Sequence, residues 1–258
     1  MSDHADALVD HVERDGVHRV TLASEHNRNA LSLRLMRDLI DIVRAADGTP
    51  GCRAIVLDHR GPVFCAGVDL VERRSLPPGA ANHSEVLADL LVALWEVEAP
   101  LLARVDGAAR GGGMGIITCC DAVVAGTGAS FAYSEVKVGV APALVGGLAL
   151  ATGTGRAIVP WLLSGRTFGP DEAARLGLVT DVADADGRAR VDELIADLTL
   201  GGPSAQRATK RLVRRFTSHD VAALVGELTS MSAELFDTDE AREGMAAFAE
   251  KRRPVWPA

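Results

Sequence analysis

An α/β fold with a helical C-terminal region is predicted by three observations in this 258-residue sequence. It opens strand, helix, strand. A further strand-like run at residues 101–105 then feeds through three consecutive glycines into an apolar, helix-length run at 114–120. Past Gly201-Gly202-Pro203 the pattern becomes amphipathic helix throughout. The length suits one large domain or two small ones.

In order along the chain, Val17 to Leu22 reads as a strand after an Asp15-Gly16 turn, and residues 54–57 read as another. Between them, residues 32–46 carry apolar side chains at helical spacing behind a serine cap. Residues 73–83, with Pro77-Pro78-Gly79, read as a loop and a candidate mobile flap. Residues 84–97 predict a helix with Leu87, Leu90, Leu91 and Leu94 on one face. Further on, Pro170 at a first helical position and Gly177 just past a last one satisfy capping rules. Residues 204–216 and 221–236 are amphipathic helices.

Composition excludes several functions. Apolar residues at 48% and charged residues at 24% are ordinary for a globular protein that folds without metals or disulfides. With 27 basic and 35 acidic residues the net charge is -8, which disfavours nucleic acid. The basic run around Lys210 and Arg214 reads as a solvated helix face. The four cysteines form no CxxC pair and the seven histidines no ligand set, so no metal is expected. No run approaches the roughly 18 apolar residues of a membrane span, and the polar N-terminus resembles no signal peptide, so a cytoplasmic location is expected.

The chemistry is expected where Gly111-Gly112-Gly113 meets the start of a helix. Glycines let a ligand reach backbone N–H groups that a new helix has not paired, where the helix dipole favours negative charge. Glu135 follows, flanked by apolar residues rather than by a charge run. Donors for an oxyanion and one base suffice to move a proton beside a carbonyl. Taken alone, the glycines favour the close-packing reading, and a lone glutamate in a loop is usually solvated.

A longer pattern decides between these readings. The motifs Asn27-Arg28-Asn29-Ala30-Leu31-Ser32, Phe64-Cys65-Ala66-Gly67-Val68-Asp69-Leu70, the triple glycine, Ser134-Glu135-Val136 and Gly139-Val140-Ala141-Pro142 occur in one order. Residues 163–179 and the tail at 238–252 continue it. Together they resemble the enoyl-CoA hydratase/isomerase (crotonase) family. The resemblance implies a spiral of repeated ββα units over residues 1–200, and a helical region at 201–258 that assembles a homotrimer or a hexamer.

It further implies a coenzyme A thioester as substrate, with no separate cofactor. The backbone N–H groups of Val68 and Gly112 would form the oxyanion hole and Glu135 would be the catalytic carboxylate. Contacts to substrate or coenzyme A would come from Arg28, Ala30, Ala66, Asp69, Leu70, Gly111, Gly115 and Ser134. Phe248 and Lys251 would reach the coenzyme A of a neighbouring subunit.

One departure stands out. Well-studied hydratases of the family use two glutamates, and the first position holds Gly115 here. Hydration with Glu135 alone leads, isomerisation by the same carboxylate follows, and a non-catalytic acyl-CoA binder is the third reading. If Gly115 limits water activation, glutamate at 115 is expected to raise hydration.

Overall fold

The structure is a computed structural model and describes residues 7–77, 82–215 and 220–256. Strands β1 (Val9–Arg14) and β2 (Val17–Leu22) form an antiparallel hairpin across the Asp15-Gly16 turn, where Gly16 adopts φ 77°. Helix α1 (Leu33–Gly48) starts at Ser32, whose side chain accepts a hydrogen bond from the Leu35 N–H, as the serine cap predicts. Strands β3 (Ala54–His59) and β4 (Val63–Cys65) follow, then helices α2 (Leu70–Ser75) and α3 (His83–Glu96). The next unit is β5 (Leu101–Val105), β6 (Ala108–Arg110) and helix α4 (Gly112–Thr118). After it come β7 (Ala122–Ala125), β8 (Ser130–Ala132), α5 (Ala143–Ala151), α6 (Val159–Ser164), α7 (Pro170–Arg175) and β9 (Asp181–Val182). Helices α8 (Arg188–Leu200), α9 (Pro203–Arg215), α10 (Val221–Phe236) and α11 (Asp239–Ala249) complete the order.

Two sheets share these strands. One has six strands in the order β1-β2-β3-β5-β7-β9, and the other has three in the order β4-β6-β8. Each successive pair (β3/β4, β5/β6, β7/β8) gives one strand to each sheet before the chain enters a helix. That is the expected ββα spiral. Beyond the β1/β2 hairpin the pairing is parallel, so the inner strands must be covered on both faces. Ile55, Leu57, Leu101 and Ala103 join the main core with α1 and α3. Ala54, Val56, Leu102 and Val124 face the other way, onto Val191 and the flanking Leu194, Ile195 and Leu198 of α8. The predicted stripe Leu87, Leu90, Leu91 and Leu94 is buried.

Several elements differ from expectation. Strand β1 was not predicted, because an edge strand with four exposed residues shows no apolar alternation. Helix α4 begins at Gly112 rather than 114, so the glycines are its first turn. The segment at 73–83 begins inside helix α2, and residues 78–81 of the expected flap lie outside the described residues. The helical C-terminal part already begins with α8 at Arg188. Helix α10 packs on α5 and α3, where Gly147 lies against Leu228.

Candidate active site

The triple glycine is where the two sheets' geometry matters most. Gly111 N–H donates to Ala132 O (3.3 Å), tying the end of β6 to the end of β8. Gly111 then turns the chain into α4 with φ 48° and ψ −118°, a conformation open mainly to glycine. A Cβ on Gly111 would lie 3.6 Å from Gly67 Cα and 3.3 Å from Glu135 Oε1. Three chain segments thus meet at one point.

The loop after β4 is clamped from behind. Leu31 N–H donates to Gly67 O (2.8 Å) and Asp69 N–H donates to Leu31 O (3.1 Å), which leaves the Val68 N–H outside that bridge. Ala66 N–H donates to Arg28 O (3.2 Å), and Asn29 Nδ2 donates to Val63 O (2.8 Å) and Arg60 O (3.1 Å). Arg28 and Leu31 accordingly brace the loop through their backbones, Ala30 O accepts from Asn27 Nδ2 (3.4 Å) instead, and Asp69 caps α2 by accepting from Val71 and Glu72 N–H. Gly112, as the first residue of α4, has no intrahelical acceptor for its N–H.

These segments border a cavity of about 190 Å³ that is partly open to the surface. Of the predicted residues, Ala66, Val68, Leu70, Gly111, Gly112, Ser134, Glu135 and Phe248 line it. Arg28, Ala30, Asp69, Gly115 and Lys251 are not among its lining residues. Phe248 lines the cavity of its own chain, whereas the expectation placed it against a neighbour's coenzyme A. The walls also include Ser84 and Leu87 from α3, Leu144 and Val145 from α5, Ser232 and Phe236 from α10, and Lys137. Sequence reasoning missed most of these. Leu87 alone carried a signal, as part of the α3 stripe.

Gly115 lies behind the cavity lining, in tight packing. A Cβ there would sit 2.9 Å from both Leu91 Cδ2 and Val145 Cγ1, so the position is filled with hydrocarbon rather than open to water. A glutamate at 115 is therefore not expected to restore a water-holding carboxylate.

Glu135 begins a short 3-10 turn (Glu135–Val138) directly after β8 and Ser134. The residue is half-buried, yet its Oε2 is shut from solvent and has no hydrogen-bond partner. Burial raises its carboxyl from 4.5 to about 7, opposed by a hydrogen bond from its own backbone. A carboxyl balanced near neutrality can both take and give a proton. Tyr133, fully buried beside it, is pushed well above the usual phenol range by burial first and by Glu135 second. Its hydroxyl is close to Thr118 without meeting hydrogen-bond geometry. Burial pushes the Cys65 thiol up to about 12, so this neighbour of the glycine loop is packing and not a nucleophile. Among the described residues no group of His, Cys, Asp and Glu is arranged to hold a metal, and no helix is long and apolar enough to cross a membrane.

The architecture is that of the crotonase fold, and comparison with known proteins carries this to the family. The enoyl-CoA hydratase/isomerase profile matches residues 13–258. The probable enoyl-CoA hydratase EchA8 of Mycobacterium leprae is 33% identical over 249 residues, 96% of each chain. Enoyl-CoA hydratase EchA19 of Mycobacterium tuberculosis is 32% identical over 262 residues, 96% of this chain and 95% of that one. A crystal structure of an enoyl-CoA hydratase from Mycobacterium avium superposes with a TM-score of 0.82 at 38% identity, covering 98% of this chain and 100% of that one. The chain belongs to the enoyl-CoA hydratase/isomerase family of enzymes.

Proposed function

We propose that this enzyme adds water to a 2-enoyl thioester of coenzyme A, with Glu135 as the acid and base. The observation that carries this reading is the Glu135 carboxyl, whose Oε2 is solvent-excluded and unpartnered and whose Oε1 lies beside the contact of the Gly67 and Gly111 backbones. The cavity is smaller than the roughly 300–1,000 Å³ of a cleft that encloses a whole ligand, which suits an acyl end with the nucleotide outside.

Ionised Glu135 takes a proton from a water whose oxygen bonds to C3. The C2–C3 π electrons shift onto the thioester oxygen, which receives the N–H groups of Val68 and Gly112. When that enolate collapses, Glu135 returns the proton to C2, and the net change is H and OH across the double bond. Each backbone donor is worth roughly 3–4 kcal/mol of barrier in a dry site. No separate cofactor enters, because coenzyme A is part of the substrate. Arg28, Ala30, Asp69 and Lys251, outside the cavity, would meet the coenzyme A portion.

Isomerisation is the second reading, favoured by the hydrocarbon packing around Gly115 that leaves Glu135 without a companion carboxylate. One carboxylate can carry a proton between C4 and C2. A homotrimer or a dimer of trimers, built through residues 201–258 beside a core at 1–200, belongs to the same proposal. The exposed apolar side chains of Met231, Phe248, Val255 and Trp256 support it. A cytoplasmic location is part of the same proposal.

The test presents the pure protein with 2-enoyl and 3-enoyl thioesters and follows the conjugated-alkene absorbance. Hydration is expected to bleach the first. Growth of absorbance with the second alone would establish isomerisation, and silence with both would leave a binder without turnover.

A further inference from the structure

Two serines stand in the wall of a largely apolar cavity, apart from its Ser134, Glu135 and Lys137 side. Ser84 lies in the first turn of α3 and Ser232 lies in α10; they are 3% and 6% exposed. Their hydroxyls face one another at 3.4 Å, long for an O–H···O bond, and no other hydrogen bond to either hydroxyl is found among the described residues. On the same helix, Thr229 satisfies its hydroxyl by donating to Val225 O at 2.6 Å, the usual solution for a helical hydroxyl, while Ser232 does not.

Two hydroxyls carry two donors, and bonding to each other consumes at most one. At least one O–H therefore remains for a ligand, among walls formed by Leu70, Leu87, Leu144, Val145 and Phe236. Alanine at both positions would suit a hydrocarbon chain without the cost of burying a hydroxyl.

We propose that Ser84 and Ser232 form a specificity pair for an acyl chain that carries an oxygen beyond its C3, held as a hydrogen-bond acceptor. This rests on the reading of the cavity as an acyl-CoA site. The acceptor can be a neutral oxygen or a carboxylate. Arg73 stacks its guanidinium 3.8 Å from the centre of the Phe236 ring, behind the cavity wall, with Asp237 countering its charge.

Calorimetric titration with unreactive saturated thioesters separates these cases: pentanoyl-CoA, 5-hydroxypentanoyl-CoA and glutaryl-CoA. The wild-type protein is expected to bind one of the oxygenated chains about tenfold more tightly than pentanoyl-CoA. Ser84→Ala and Ser232→Ala are each expected to shrink that ratio several-fold, by about the worth of one hydrogen bond. A gain with the hydroxyl chain identifies a neutral oxygen, and a gain with glutaryl-CoA a carboxylate. Tight pentanoyl-CoA binding with no preference for oxygen, or a preference that survives both substitutions, overturns the specificity pair and leaves the acyl-CoA site intact. Failure of all three thioesters to bind overturns both.

Discussion

Glu135 is held where water would ordinarily be needed to keep it charged, and this has a stability consequence. Its folded pKa of about 7 lies above 4.5, so between those values the folded state holds more protons than the unfolded chain. Stability should therefore fall as pH rises from about 4.5 to about 7 and stay low above, an effect on the order of 3 kcal/mol. Glu135→Gln is expected to flatten that dependence and to stabilise the protein at pH 8, as read from denaturant midpoints. Equal pH slopes in the two proteins would mean that the carboxyl is solvated. At Gly115 the opposite is expected: Gly115→Glu drives a charged side chain between Leu91 and Val145 and should cost roughly 3 kcal/mol or more without any gain in hydration. A stable Gly115→Glu variant with faster hydration would show that the packing there yields.

At the scale of elements, the site depends on backbones that approach too closely for side chains. Gly111→Ala would place a methyl group in a left-handed backbone against Glu135 Oε1, and a fall in kcat of about 10- to 100-fold is expected. An unchanged kcat would mean that the β6–α4 turn does not set the carboxyl's position. Helix α11 meets the Glu135 turn in the same manner: a Cβ on Gly244 would lie 2.3 Å from the Val138 carbonyl carbon, and one on Gly139 would lie 2.3 Å from Glu240 O. That contact delivers Phe248 to the cavity. Much of this was legible in the sequence. Ser32, the leucine stripe of α3, and the order of the glycine and glutamate motifs each carry a local signal. Helix α5 carries none, because Ala-Leu-Val-Gly-Gly-Leu-Ala-Leu-Ala is apolar on every side and broken by two glycines. Ser84 and Ser232 are 148 residues apart, and only the packing of α10 across α3 makes them neighbours.

Across the whole molecule, the parallel sheet is pinned by a charged cluster far from the cavity. Arg104 in β5 donates through Nε to Asp58 of β3 (2.8 Å) and pairs with Asp106, which accepts from Gly187 N–H (2.7 Å) at the start of α8. Removing one partner of a buried pair strands the others, so Arg104→Ala is expected to lower stability by about 3–5 kcal/mol in denaturant unfolding. A loss below about 1 kcal/mol would mean that the cluster is solvated. This scaffold holds β3 and β5 in register, and the segments after their continuations β4 and β6 bring the Gly67 and Gly111 backbones together beside Glu135. The most direct test is the pH dependence of kcat/KM for a 2-enoyl-CoA in the wild type and in Glu135→Gln. The wild-type value is expected to rise with a midpoint near 7, and the variant to lose roughly 100- to 10,000-fold in rate while still binding the thioester. A Glu135→Gln enzyme that retained wild-type kcat/KM across that range would contradict the role of the buried carboxylate.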